Sequence, residues 1–241
     1  MSSANPQYKN AGNLGDILKH AALLAMARLL NARSSGQPVN YFETHAFQLH
    51  TSLTNPKRWE DECQDEISQH PSYQPYHSAE HHFVSNGQYR CSCGLIIDVL
   101  LPNRRLFLAE ANAQTRTTLQ SQLAAENVSC ELLLNDARGF EFLATVNNPG
   151  PLLGLVDPFT SPNEVWGAVC NAVNVLRKRE SDGVIEVFSY SEGETVNWPQ
   201  SPSGFVGPVA TVARPPYFLA VYATDAVANE AKEKLVGLDW K

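Results

Sequence analysis

From Tyr89 to Tyr190 the sequence alternates short apolar runs with stretches of helical character, and this alternation constrains the fold more than any other feature. The runs RLFLAE (105–110), SCELLLN (129–135), PLLGLVD (151–157) and GVIEVFSY (183–190) read as strands. The segments GLIIDVLL, AQTRTTLQSQLAAE, GFEFLATV and NEVWGAVCNAVNVLRKR, before and between them, read as helices. Strands separated by helices of these lengths imply right-handed crossovers and a mainly parallel sheet. Further on, FVGPVATVA and PPYFLAVYA meet at Arg214 and Pro215 and suit an antiparallel closing pair, with DAVANEAKEKL as a final helix. The expected class is α/β.

Upstream, residues from Asn13 to Arg33 place Ile17, Leu18, Leu23, Leu24, Ala27, Leu29 and Leu30 at helical spacing among strong helix formers. SSGQP ends that helix, and VNYFETH (39–45) follows as the first strand, with polar residues at its far end. Residues 47–88, rich in Pro, His, Gln and Ser, show no sustained period and read as an insert with some helix. Nothing in the 241 residues forces a second domain, so residues 1–241 are expected to form one domain with an insert at about 47–88.

No run approaches the roughly 18–20 apolar residues of a membrane span, and MSSANPQYKNAGN lacks the pattern of a secretory signal, so a cytoplasmic location is expected. Five cysteines, an odd number in such a chain, are expected to be reduced thiols. A formal charge of −7 argues against a broad phosphate-binding surface. Residues 1–40 nevertheless carry Lys9, Lys19, Arg28 and Arg33 against Asp16, a surplus of three positive charges that leaves ten negative for the remainder. An anionic partner would favour this segment. A monomer or weak dimer is expected.

In an open α/β sheet, ligands bind beyond the carboxyl ends of the strands. His45 ends the first strand, Glu110 the second, Asn135 and Asp136 follow the third, and Asp157-Pro158 ends the fourth. A carboxylate in the position of Glu110 accepts hydrogen bonds from both hydroxyls of a ribose, and Asp136 is placed to accept from an adenine amine. Taken singly, such acids are more often helix caps or solvated loop residues.

AGNLGDILKH (11–20) resembles the motif AGNHADVLKH of the ribosomal-RNA large-subunit methyltransferase J family, which methylates an adenine N6 in large-subunit rRNA. YFETHA resembles that family's YLDTHA, LAEANAQTRTTL its second strand and following helix, and NDARGFEFL its loop and helix after the third strand. The resemblance implies a Rossmann-like S-adenosylmethionine-dependent methyltransferase fold, S-adenosylmethionine as cofactor and an RNA substrate. It puts Lys19, His20, His45 and Ser92 around the methionine part of the cofactor, Glu110 at the ribose and Asp136 at the adenine. Without the motif, Lys19 reads as an exposed helix residue and His20 as a half-buried one.

In the family a DPPY-like tetrapeptide after the fourth strand positions the target amine. Here it is Asp157-Pro158-Phe159-Thr160, whose Asp and first Pro carbonyl would accept from the amine while Phe159 stacks on the flipped base. Asp157 would also face the cofactor. The chain departs from the family at Thr160 and at Ala46-Phe47-Gln48-Leu49, where the family has a glycine-rich turn. These departures define the alternative of a binding protein that keeps the fold without turnover.

His77-Ser78-Ala79-Glu80-His81 matches H-x-x-E-H, in which two His bind zinc and the Glu is general base. With Pro75 just before it and no helical period around it, a solvated loop is expected instead. Cys63, Cys91 and Cys93 lack paired CxxC spacing, so no metal site is expected. There is no Walker motif, strand-linked G-x-G-x-x-G or G-x-S-x-G elbow, which removes support for ATP, nicotinamide and hydrolase chemistry.

Overall fold

The structure is a computed structural model that describes residues 11–100, 104–134, 149–157, 170, 173–174, 176–190, 209–214 and 217–238. In chain order the elements are α1 (Leu14–Arg33), β1 (Val39–Glu43), β2 (His50–Ser52), α2 (Pro56–Gln69), a 3₁₀ turn (Pro71–Tyr73), α3 (Gln74–Ser85), β3 (Gln88–Arg90) and α4 (Ser92–Val99). Then come β4 (Arg104–Ala109), α5 (Ala113–Ala125), β5 (Leu132–Leu134), β6 (Leu152–Val156), β7 (Gly183–Tyr190), β8 (Ala210–Arg214), β9 (Tyr217–Ala223) and a last helix, α6 (Asp225–Val236).

Seven strands form one sheet in the order β5-β4-β1-β6-β7-β9-β8. β5, β4, β1, β6 and β7 are parallel, and β9 runs antiparallel to both β7 and β8. This is the mainly parallel sheet with an antiparallel closing strand expected of the Rossmann-like methyltransferase plan. The chain turns outward from β1 in both directions, to β4 on one side and β6 on the other. A switch point therefore opens at the carboxyl ends of β1 and β6, where such sheets bind ligands. Both strands, VNYFE and LLGLV, are buried throughout, as strands covered on two faces must be.

α1 lies against this switch point. Its start is fixed by Gly12 in the left-handed region (φ 76°), by Asn13, whose side chain accepts from the Asp16 amide (3.1 Å), and by Asp16, whose Oδ2 accepts from the Gly12 amide (2.9 Å). Ile17, Ala22, Leu23, Met26, Ala27 and Leu30 are fully buried on every side of the helix, because β6, β7 and β9 flank it on one side and α3, α4 and α6 on others. Gly15 allows the close approach, since a Cβ there would stand 2.5 Å from the Tyr217 ring.

The segment expected to be an insert forms α2 and α3 with the small antiparallel β2–β3 sheet. The H-x-x-E-H residues lie within α3, with Pro75 in its first turn, and not in a loop. The helix expected over GFEFLATV falls outside the described residues, and of the next one Cys170, Val173, Asn174, Leu176 and Arg177 are described as helical. Among the described residues no helix is long and apolar enough to cross a membrane.

Candidate functional site

Buried polar groups gather at the switch point, and Lys19 is held there between two carboxylates. Its Nζ stands 2.7 Å from Asp157 Oδ2, just past the end of β6, and 3.0 Å from Asp16 Oδ1, one turn back on α1. Lys19 is 6% exposed and Asp157 8%, so the pair is desolvated and the bland expectation of a surface lysine is replaced. Burial alone would discharge the amine, but the two carboxylates outweigh it and raise its pKa. Burial opposes ionisation of Asp16 as well, yet Lys19, His20 and the bonds from Lys19 and the Gly12 amide hold its pKa below the usual value. The ammonium also lies 5.2 Å from the Phe188 ring centroid.

Glu43, the last residue of β1, is 1% exposed. Its Oε1 accepts from Ser92 Oγ at the start of α4, and its Oε2 from Tyr41 OH at 2.9 Å. Burial pushes its carboxyl up to about 7 against the lowering effect of these two bonds. Ser92 is thus bonded to Glu43, which feels the charge of Lys19 without touching it. On β7, Glu186 is fully buried, and neither of its oxygens has a hydrogen-bond partner among the described residues. Burial raises its pKa well above the usual value.

His45 is half-buried beyond β1, with Nδ1 2.7 Å from Thr44 Oγ1, and burial lowers its pKa. His20 is 1% exposed and faces the insert: its Nδ1 meets Tyr89 OH (2.8 Å), which meets Tyr76 OH (3.0 Å), which accepts from Trp59 Nε1 (3.2 Å). Burial, then the charge of Lys19, push His20 down to about 3, so it is a neutral link between insert and α1. Glu110 lies half-buried beyond β4, where its Oε1 accepts from the Asn112 amide (2.6 Å) and its carbonyl from Arg116 (2.8 Å). It supports the start of α5, and burial raises its pKa. Asp136, Pro158 and Phe159 lie outside the described residues.

The structure therefore brings Lys19, Asp157 and Ser92 together and adds Asp16, Glu43 and Glu186, which sequence reasoning passed over. Asp16 was within the amino-terminal motif. Glu43 was within the YFETHA motif, and Glu186, an acid between the apolar Ile185 and Val187, had no other signal.

The loop after β1 is held from several sides: the Ala46 amide donates to Ala109 O (2.7 Å), Leu49 N to Gln122 Oε1 (2.8 Å), and Cys93 Sγ to Gln48 O (3.0 Å). Gly94 in α4 presses on it, because a Cβ there would stand 2.0 Å from Leu49 O. In an ordinary helix Gly→Ala stabilises by roughly 0.5–1 kcal/mol. Gly94→Ala is expected to do the reverse and cost about 1–3 kcal/mol through overpacking. Urea unfolding measures it, and a stabilised variant would mean that the loop moves freely.

Neither a family model nor a curated protein sequence matches the chain. Among solved structures it is similar to a protein of Legionella pneumophila assigned the family model DUF519, with a TM-score of 0.57 and 22% identity over 75% of this chain and 69% of that one. A Haemophilus influenzae protein described as a methylase matches with a TM-score of 0.37 and 14% identity over 53% of this chain and 76% of that one. An Escherichia coli protein described as a methyltransferase matches with a TM-score of 0.40 and 13% identity over 81% of this chain and 85% of that one. The chain shares its fold with the Legionella protein.

Proposed function

We propose that this chain is an S-adenosylmethionine-dependent methyltransferase whose acceptor is an exocyclic amine of a nucleobase, adenine N6 of ribosomal RNA. The observation that carries this reading is the 2.7 Å contact of Lys19 with Asp157. It joins the amino-terminal motif to Asp157 at the switch point. The donor set suits the cofactor: anionic oxygens of Asp16 and Asp157 for the methionine ammonium, Lys19 for its carboxylate, and the half-buried Glu110 beyond β4 for ribose hydroxyls. His45 would line the methionine end, with His20 and Ser92 holding the helix and strand behind it, and Asp136 would accept from the adenine amine. When bound, S-adenosylmethionine supplies an electrophilic methyl group.

Asp157 is the proposed catalytic residue. Its Oδ1 and the Pro158 carbonyl would accept from the target amine and localise the nitrogen lone pair, while Phe159 stacks on the base. Catalysis is mainly positioning.

The loop after β1 favours a second reading. Phe47 stands where the related family has glycines, in a loop tied at Ala46, Gln48 and Leu49. A protein that keeps the fold as a binding module would tolerate this. Calorimetry with S-adenosylhomocysteine separates the two, and no heat at high micromolar ligand removes the enzyme. If the ligand binds, Asp157→Asn is expected to abolish transfer of tritiated methyl to a large-subunit rRNA fragment while changing affinity only a few-fold. Undiminished transfer would show that Asp157 is not catalytic.

A further inference from the structure

We propose that Glu60, His77 and His81 form a binding site for a divalent transition-metal ion of the zinc class, which pins α2 to α3. This site lies in the insert and does not rest on the methyltransferase reading. His77 and His81 are four residues apart on α3, so their rings share a face, 5.1 Å between centroids. Glu60 reaches them from α2: Oε1 is 2.8 Å from His77 Nε2, and Oε2 is 3.9 Å from His81 Nε2. One donor atom from each residue lies within 4.8 Å of the other two. In a tetrahedral zinc site with bonds of about 2.0–2.1 Å, adjacent donors stand roughly 3.3 Å apart. Side-chain movements on the order of 1 Å therefore close the three around an ion.

Two imidazoles and one carboxylate are borderline-soft donors that suit zinc better than magnesium or calcium. Neighbours hold them in place. The Trp59 indole stacks on His77 with centroids 5.4 Å apart and planes 14° apart, and is itself fixed by its bond to Tyr76. Gln64 Nε2 donates to Glu60 Oε1 at 3.1 Å. Such outer contacts orient metal ligands. The surrounding field also favours a cation, because α2 carries Glu60, Asp61, Glu62, Asp65 and Glu66 against Lys57 and Arg58.

The hydrolytic role that H-x-x-E-H brings to mind is absent. Glu80 is turned away and fully buried, where its carboxylate accepts from Arg90 Nε (2.9 Å) and from the Arg90 amide (3.3 Å). Arg90 is further held by Asp98 and by Ala79 O. The third donor comes instead from another helix. That arrangement describes a staple between two helices, with a fourth position left for water.

Titration calorimetry of zinc chloride into the full chain is expected to show one ion bound per chain with micromolar affinity. His81→Ala removes a side chain that is 56% exposed, so the fold should tolerate it. It is expected to weaken binding at least about tenfold, and Glu60→Gln to do the same. His82→Ala, an exposed neighbour on the same helix, is expected to change nothing. Cobalt in place of zinc should show no thiolate charge-transfer band. Absence of saturable binding, unchanged affinity in His81→Ala and Glu60→Gln, an equal loss in His82→Ala, or a thiolate band would each overturn the assignment.

Discussion

Replacing Lys19 with methionine is expected to cost about 3–5 kcal/mol of stability, the usual price of removing one partner from a buried ion pair. The volume is nearly kept, so the loss is electrostatic. Asp157 and Asp16 lose the ammonium that lies 2.7 and 3.0 Å from them, in a space that water hardly enters. For a chain of this size the melting temperature should fall by roughly 6–20 °C. The sign with pH follows from the shifts. The raised pKa of Lys19 means that its contribution is fully present below the unfolded value near 10.5 and is flat through neutral pH. The lowered pKa of Asp16 means that its contribution is present above 3.8 and is lost as pH falls further. The wild-type contribution should therefore be constant from pH 6 to 9, and the deficit of the variant should be largest at the alkaline end and shrink towards acid, as the Asp16 carboxylate left without the ammonium takes up a proton. Pairing Lys19→Met with Asp157→Asn should recover part of the loss, since the two residues are coupled. A single-variant loss under about 1 kcal/mol, or a double variant no better than the single, would contradict a working buried pair.

That pair was legible in the sequence only because two separate signals coincide. The amino-terminal motif marked Lys19, the strand-end rule marked Asp157, and the sheet order brings them together. The structure gives the motif a physical reading: Gly12 supplies the left-handed turn, Asn13 and Asp16 cap the helix, Gly15 lets it touch Tyr217, and Lys19 follows Asp16 by one turn. Central strands were legible because two covered faces demand unbroken apolar runs. The insert was not. In α2 the buried residues are Trp59, Cys63 and Glu66, too few apolar positions for a period to stand out. In α3 two of the four buried residues are polar, His77 and Glu80, and each is satisfied by a partner distant in sequence. Periodicity counts apolar residues, so helices that bury ion pairs and ring stacks escape it.

Glu186 was equally hidden, and it carries the second large effect. Its neighbours across the sheet are Leu155 and Val221, and burial, with no hydrogen-bond donor to it among the described residues, raises its pKa and favours the protonated form. Folding therefore holds a proton that the unfolded chain releases above about pH 4.5. Native protons in excess make stability fall as pH rises, by up to about 1.4 kcal/mol per pH unit for this one group, until the folded pKa is passed. Glu43 and Glu80, both pushed up to about 7 by burial, slope the same way. His20 opposes them below 6.5, since its folded pKa of about 3 makes acid destabilising. A wild-type profile mixes these slopes, but a difference between variants isolates one of them. Glu186→Leu should thus be closest to wild type near pH 4.5 and gain on it steadily towards pH 7, because an apolar side chain replaces an acid whose ionised form burial disfavours. Urea midpoints at several pH values measure the gap. A gap that stays constant across this range would mean that Glu186 is ionised in the folded chain and has found a cation.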